Sequence, residues 1–468
     1  MTGKSGFIGG PTDPFETPDA PEITGVSAGV LTADVTFTAP ADTGGAAIDS
    51  YVITAKQSDG TSVAQTASSA GTTSITLTAG GTTTFGAQAF NLYGAGQFSG
   101  LGNSTSVFTG QELYVWGSNQ DGSLGLNDTA VRSSPVQVGG LTNWSQVSST
   151  VNFFHRTAAV KTDGTLWTWG ENNNHGSLGD NTRIDRSSPT QIGALTNWSQ
   201  ISFGGGHCCA IKTDGTLWAW GYNNNGQVGD STRTNRSSPV QVGALTNWYQ
   251  VSGGQLFTAA IKTDGTLWTW GRNARGQLGL GNTASRSSPV QVGVLTNWSQ
   301  VSCGYRHTAA VKTDGTIWTW GDSDNGRLGN NTAGNNYRSS PVQIGALTNW
   351  SQVSAGYVNT GATKNNGALW IWGRNNHGQL GQNNLTDRSS PVQVGTLTDW
   401  STVSVGQDHC GATKTDGTLW TWGRGTNGRL GQNDDVSRSS PTQLGALTGW
   451  TQVSSGSQLT AAILGTTS

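Results

Sequence analysis

The chain has 468 residues, of which 33% are apolar, only 11% are charged and 69 are glycine. This composition excludes helical bundles, which need long Ala/Leu/Glu/Lys stretches, and favours short strands joined by turns. A formal charge of −2 excludes a strongly basic nucleic-acid-binding chain, and no run approaches the roughly 18 apolar residues of a membrane span. In chain order, residues 1–20 hold three prolines, several glycines and no periodicity, and read as an extended arm. Met1–Gly10 lacks the apolar centre of a secretory signal, which predicts folding in a cytoplasm. Residues 21–108 alternate apolar and polar positions (Val35 and Phe37, then Tyr51–Ile53 and Ile75–Leu77) between Gly- and Asp-rich turns, the pattern of a β-sandwich. The charge is uneven: residues 1–110 carry −6 and the remainder +4.

Internal repetition dominates residues 109–468. A Trp-Gly pair recurs seven times, from Trp116 to Trp422, and a second tryptophan seven times, from Trp144 to Trp450, at spacings of 50 to 54 residues. All 20 tryptophans lie in this region. One unit reads as four short strands: a (WSQVS from Trp298), b (HTAAVK), c (TIWTWG) and d (SPVQI). An Asp-Gly pair joins b to c, which predicts a two-residue hairpin turn with positive φ at both positions. Four antiparallel strands per unit of about 50 residues predict a propeller blade. The first unit lacks strands a and b and the last lacks c and d, so residues 111–139 are expected to complete a seventh blade with residues 450–464. The fold class expected is all-β: a seven-bladed propeller preceded by an immunoglobulin-like sandwich.

The units resemble the regulator of chromosome condensation repeat, with Gly206-His207 before strand b and a DGxLxxWGxNxxGQLG run carried by Asp264–Gly271, Asn273, Gly276, Gln277, Leu278 and Gly279. That family holds a nucleotide exchange factor, a plant ultraviolet-B receptor and a bacterial enzyme inhibitor, so the resemblance implies a fold and leaves the function open. The receptor's chromophore run, Gly-Trp-Arg-His-Thr, is replaced here by Gly304-Tyr305-Arg306-His307-Thr308. Residues 21–108, with Pro40, Gly44-Gly45, Tyr51 and the run from Phe85 to Ser99, resemble a fibronectin type III module, which implies a spacer or docking unit. The opening GFIGGPTDP is similar to openings of virion proteins of cyanobacterial phages.

No catalytic, cofactor or metal constellation is expected. Cys208, Cys209, Cys303 and Cys410 have neither disulfide nor zinc spacing and read as small core residues. His207, His307 and His409 share one repeat position, which predicts a structural role through backbone bonds at the start of strand b; His175 and His377 precede loop glycines and are expected to be solvated. Arg132, Arg186, Arg236, Arg286, Arg338, Arg388 and Arg438 recur before Ser-Ser-Pro, either tying each loop to its own carbonyls or forming a ring of positive charge. The b–c and d–a turns barely change between units, whereas the a–b and c–d loops change greatly. Since these two pairs of connections emerge on opposite faces, one face is uniform and the other varied. The candidate partner-binding residues on the varied face are Phe153, Phe154, His155, Arg156, Phe257, Tyr305, Arg306, Tyr357 and Asp408.

The functional expectation is a non-enzymatic binding or structural protein. Its arm and sandwich anchor it to other virion proteins, opposite the varied face, and its propeller face takes a host-surface protein or glycan. No nucleic acid, membrane insertion or cofactor is expected. The setting read from composition and the opening motif is a phage particle, at its tail or baseplate. The alternative is a bacterial extracytoplasmic or cell-surface binding or inhibitor module, and the third reading is a glycan-active enzyme built on the propeller.

Overall fold

The computed structural model describes residues 16–28, 31–58, 60–78, 80–107, 110–151, 154–172, 175–334 and 336–466. Most of the N-terminal arm therefore lies outside the described residues, and so does Phe153. The chain divides into two units, residues 1–111 with 465–468 and residues 112–464. Among the described residues no helix is long and apolar enough to cross a membrane.

In the first unit, β1 (Glu22–Ala28), β2 (Thr32–Thr38) and β5 (Gly71–Thr76) form one antiparallel sheet in the order β1-β2-β5. The second sheet orders β4 (Ser62–Ala67), β3 (Ile48–Gln57), β6 (Gly81–Asn91) and β7 (Gly94–Phe98), with β8 (Asn103–Val107) also paired to β6. Alternation along the strands sends Val35 and Phe37, Tyr51 and Ile53, and Phe85 and Ala87 into one shared buried cluster. Removing these side chains from water gives the two sheets their reason to meet.

The second unit is seven sheets of four strands. Blades 1 to 6 begin at Trp144, Trp198, Trp248, Trp298, Trp350 and Trp400, and each pairs its strands in the order a-b-c-d. In blade 4 these are Trp298–Cys303, His307–Lys312, Ile317–Asp322 and Tyr337–Gln343. Blade 7 takes strands a and b from Trp450–Ser455 and Leu459–Thr466, and strands c and d from Gly110–Gly117 and Arg132–Gln137. Strand b is buried at every position in blades 1 to 6, because it is central in its sheet and both faces meet neighbouring blades.

Neighbouring strands a touch each other, which places them innermost. An inner strand has an unpaired edge, and the repeat caps that edge with side chains. The serine in WSQVS accepts a backbone N–H from the next blade: Ser148 from Phe203, Ser202 from Gly253, Ser252 from Cys303, Ser302 from Ala355, Ser354 from Val405, Ser404 from Ser455 and Ser454 from Ser149. The last bond closes the ring between the two ends of the repeat array. Glutamines of the same strands make a second tier, as Gln452 does with the Val147 N–H at 2.9 Å. A third ring runs outside, where a c–d loop N–H reaches a strand-d carbonyl of the next blade, from Asn127 to Ser187 round to Asn433 to Ser133.

The b–c hairpin differs from the two-residue turn expected. No Asp of these Asp-Gly pairs has positive φ, while the glycine does, as at Gly265 (φ +74°). Gly265 N–H bonds to the Lys262 carbonyl and Lys262 N–H to that of Thr266, a three-residue loop with a glycine bulge. Aspartate is needed for its side chain: Asp264 Oδ1 accepts the Thr266 N–H at 2.9 Å and hydroxyl at 2.6 Å, and Thr266 Oγ1 accepts the Trp268 indole N–H at 2.9 Å.

Candidate functional site

The varied face is built from the a–b loops at its inner rim and the c–d loops outside them. The inner rim is a belt of backbone bonds: Gly205 N–H to Gly254 O, Gln255 to Gly304, Tyr305 to Gly356, Tyr357 to Gly406 and Gln407 to Gly456. The glycines are required by close approach. A Cβ on Gly304 would collide with the Gly356 carbonyl and the His307 ring. Side chains that follow the glycine carry no such constraint. Gln255, Tyr305, Tyr357 and Gln407 are half-buried on a rim whose backbone is fixed from blade to blade.

The structure divides the eight face candidates that lie among the described residues. Tyr305 and Tyr357 come together across blades 4 and 5, ring centroids 4.1 Å apart, and the Arg306 guanidinium lies 4.7 Å over the Tyr305 ring. All three are partly exposed, as is Phe154. Phe257, Arg156, His155 and Asp408 are corrections, because each is buried and presents nothing to a partner. Phe257 is a core residue of blade 3. Arg156 takes the strand-b histidine position of blade 1. Its Nε donates to the Glu171 carbonyl at 2.6 Å, a terminal nitrogen lies 3.7 Å from the Glu171 carboxylate, and Phe154 covers its guanidinium at 4.5 Å. Burial pushes its pKa down to about 10. His155 Nδ1 lies 3.4 Å from the Asp121 carboxylate, and Asp408 pairs with Arg424 at 3.4 Å.

The histidines also differ from expectation. His207, His307 and His409 bond through Nε2 to the hydroxyls of Thr258, Thr360 and Thr460, each on strand b of the next blade, at 2.8 to 2.9 Å. They join blades through side chains rather than capping their own backbone. Burial, reinforced by a nearby arginine, pushes His207 and His409 down to about 3 and keeps them neutral. His175 and His377 are half-buried rather than solvated, with His175 4.6 Å from the Tyr222 ring. The four cysteines are free and buried, and burial raises every thiol pKa, which makes them poor nucleophiles. Among the described residues, no group of three or more His, Cys, Asp or Glu is placed to hold a metal ion.

The seven recurring arginines do not behave alike. Arg132, Arg186, Arg236 and Arg438 pair with carboxylates of their own loops, Asp128, Asp180, Asp230 and Asp434, at 2.5 to 2.7 Å. Carbonyl bonds, the tie expected from sequence, occur at Arg132, Arg286 and Arg438. Arg286, Arg338 and Arg388 have no ion pair with a described residue.

The RCC1-like domain family matches residues 92–356 and 200–467 of the chain. The chain belongs to this family. Among curated relatives, the ultraviolet-B receptor UVR8 of Arabidopsis thaliana is 34% identical over 125 residues, 26% of this chain and 28% of the receptor. The mitochondrial RCC1 domain-containing protein RUG3 of the same plant is 34% identical over 131 residues, 26% of this chain and 29% of RUG3. The aligned stretch thus spans under a third of either relative. Among solved structures, Prp20p of Saccharomyces cerevisiae superposes with a TM-score of 0.68 at 19% identity, over 77% of this chain and 92% of that one. Human WBSCR16 gives 0.67 at 20% identity, over 76% and 99%. At such identities the likeness concerns the fold.

The RCC1-like motif residues are structural here. Asn273 is fully buried; its Oδ1 accepts the Leu278 N–H at 2.9 Å and its amide donates to Asn282 and Ala284 carbonyls, pinning the c–d loop. Gly279 lets that loop lie against Trp320 of the next blade, and the Trp320 indole donates to the Gln277 carbonyl at 2.9 Å. Sequence reasoning passed over the lysine ending strand b. Lys312 Nζ lies 4.8 Å from the Trp298 ring and 3.9 Å from the Trp318 ring, and the same trio recurs in blades 1 to 6. The lysine recurring between two tryptophans, followed by Thr-Asp-Gly in five blades and by Asn-Asn-Gly in blade 5, was the signal available. Grooves at the outer rim, such as one of about 600 Å³ lined by Leu295, Trp298 and Pro341, expose these indoles only in part, and the Trp298 N–H is fully enclosed.

Proposed function

We propose that this RCC1-like propeller is a non-enzymatic scaffold that recognises a macromolecular partner through its varied loop face, with the N-terminal unit as an anchor of fibronectin type III kind. What supports the reading is that blades 2 to 7 hold their a–b loops by the same backbone belt while the side chains on it differ from blade to blade. A rigid scaffold with varied loops on one face is the usual geometry of recognition. Tyr305, Arg306 and Tyr357, partly exposed and packed on one another, are the residue types that dominate binding energy at protein interfaces. The setting we propose is a phage particle, with other virion proteins as anchor partners and a host-surface protein or glycan at the face; composition and the opening motif support it.

Cross-linking mass spectrometry on purified particles and on host envelope fractions tests both halves. The expected result is the chain in the particles, with partner cross-links concentrated on the a–b and c–d loops and lost when Tyr305, Arg306 and Tyr357 are replaced by Ala at an unchanged melting temperature. Cross-links confined to the b–c and d–a turns would overturn the recognition reading. Recovery only from the envelope would replace the phage setting with the bacterial one.

A further inference from the structure

The chain's cations are sorted by type. All six propeller lysines end a strand b and sit over indoles, whereas every arginine of the chain lies in an a–b or c–d loop or at its edge, on the varied face. The arginines are then sorted by partner. Blades 6, 7, 1 and 2 carry nine arginines and nine carboxylates on these loops, and six of the nine arginines are ion-paired. Blades 3 to 5 are adjacent and different. Where blades 1 and 2 place Asp180 and Asp230, they place Leu280, Asn330 and Gln382, so Arg286, Arg338 and Arg388 have no ion pair with a described residue. Their loops add Arg272, Arg275, Arg306 and Arg374. Against these seven stand Asp324 and Asp387, since Asp322 is buried against Arg327 at 3.9 Å.

We propose that the loop face of blades 3 to 5 binds an acidic protein segment rich in aspartate and glutamate. This rests on the recognition reading and names its sector and the partner's chemistry. A surplus of arginine over carboxylate within one sector, next to a balanced sector on the same scaffold, gives the face an electrostatic direction. Guanidinium is the head group suited to carboxylates, because its planar fork donates two parallel bonds. Tyr305 and Tyr357 supply an aromatic step beside Arg306 for the apolar parts of the same segment. The arginines stand as separate forks around three loops, interrupted by Asp324 and Asp387. A nucleic acid backbone instead favours an unbroken cationic track, since its affinity grows with the number of phosphates neutralised.

The test titrates a fluorescein-labelled oligoglutamate peptide with the full chain, following anisotropy at low and at high salt, with oligothymidylate of matched length in parallel. The expected result is saturable peptide binding that fades with salt. It should weaken at least about tenfold in R286E/R338E/R388E and by less than about twofold in R183E/R233E, which carries exposed reversals on blades 1 and 2. Melting temperature checks folding, and R286Q/R338Q/R388Q replaces the triple variant if it unfolds. Absent peptide binding, equal loss in both variants, or tighter oligothymidylate binding would each overturn the proposal. If the peptide fails while particle cross-links still fall on the loops, the acidic-segment proposal falls alone; cross-links elsewhere remove the recognition reading as well.

Discussion

The two faces of the propeller come from the same repeats and differ in what a substitution meets there. On the turn face, the b–c hairpins of blades 1 to 4 and 6 are each locked by one aspartate to its threonine and by that threonine to an indole. On the loop face, the backbone belt and the loop-pinning asparagine carry the geometry, and the side chains between them answer to no shared partner. Uniformity marks where side chains build the fold; variety marks where the backbone has already done so. The difference can be pressed experimentally.

The largest effect is expected at Gly265. Its φ is +74°, and a Cβ there would run into the Thr296 carbonyl oxygen, so Gly265→Val should cost on the order of 3 kcal/mol or more, read by chemical denaturation. An unchanged unfolding midpoint would show that the turn face is not rigid.

The second effect is a pH dependence carried by the buried histidines. The folded protein holds His207 and His409 at about 3, against roughly 6.5 in an unfolded chain. The unfolded state therefore takes up protons first, so stability is full above about pH 6.5 and falls as pH drops from there towards 3. Replacing His207, His307 and His409 with Asn, the residue that blade 5 uses at position 359, should flatten the melting-temperature profile between roughly pH 6.5 and 4. A profile as steep as before would assign the acid sensitivity elsewhere.

Asp264→Ala comes third. It removes two hydrogen bonds at one hairpin, and about 1–2 kcal/mol should be lost in denaturant unfolding while loop-face binding stays unchanged. The smallest effect belongs to Gly281→Asn on the loop face. The position also has positive φ, +72°, but five blades already place Asn there and no atom crowds it, so the change should stay within about 0.5 kcal/mol. Equal losses at Gly265 and Gly281 would erase the contrast between the faces.

Much of the architecture was legible because repetition is a one-dimensional signal. The spacing of Trp116 to Trp422 announced the blades, and the missing halves at residues 111–139 and 450–464 announced which segments had partners to find. The site was legible only in part. The loops were recognisable by their variety, yet Phe257, Arg156, His155 and Asp408 looked like surface and are interior. Short loops alternate inward and outward side chains without a period long enough to read.

By itself the sequence determined strand order, blade number and the chemical sorting of lysine from arginine, since these follow from local pattern and composition. Tertiary structure decided which blade each side chain serves. Ser302 caps an edge in blade 5, His307 bonds Thr360 of that same blade, and Tyr305 meets Tyr357, pairs separated by about one repeat length. Tertiary structure also decided which arginine meets which carboxylate. The sequence places Arg186 and Arg286 in the same motif and gives their loops Asp180 and Leu280; folding the loop back on itself is what turns that difference into an ion pair six residues apart at Arg186 and none at Arg286. The reason is physical. Charge pairing acts over a few ångströms in space, and a loop's path sets those distances independently of separation along the chain.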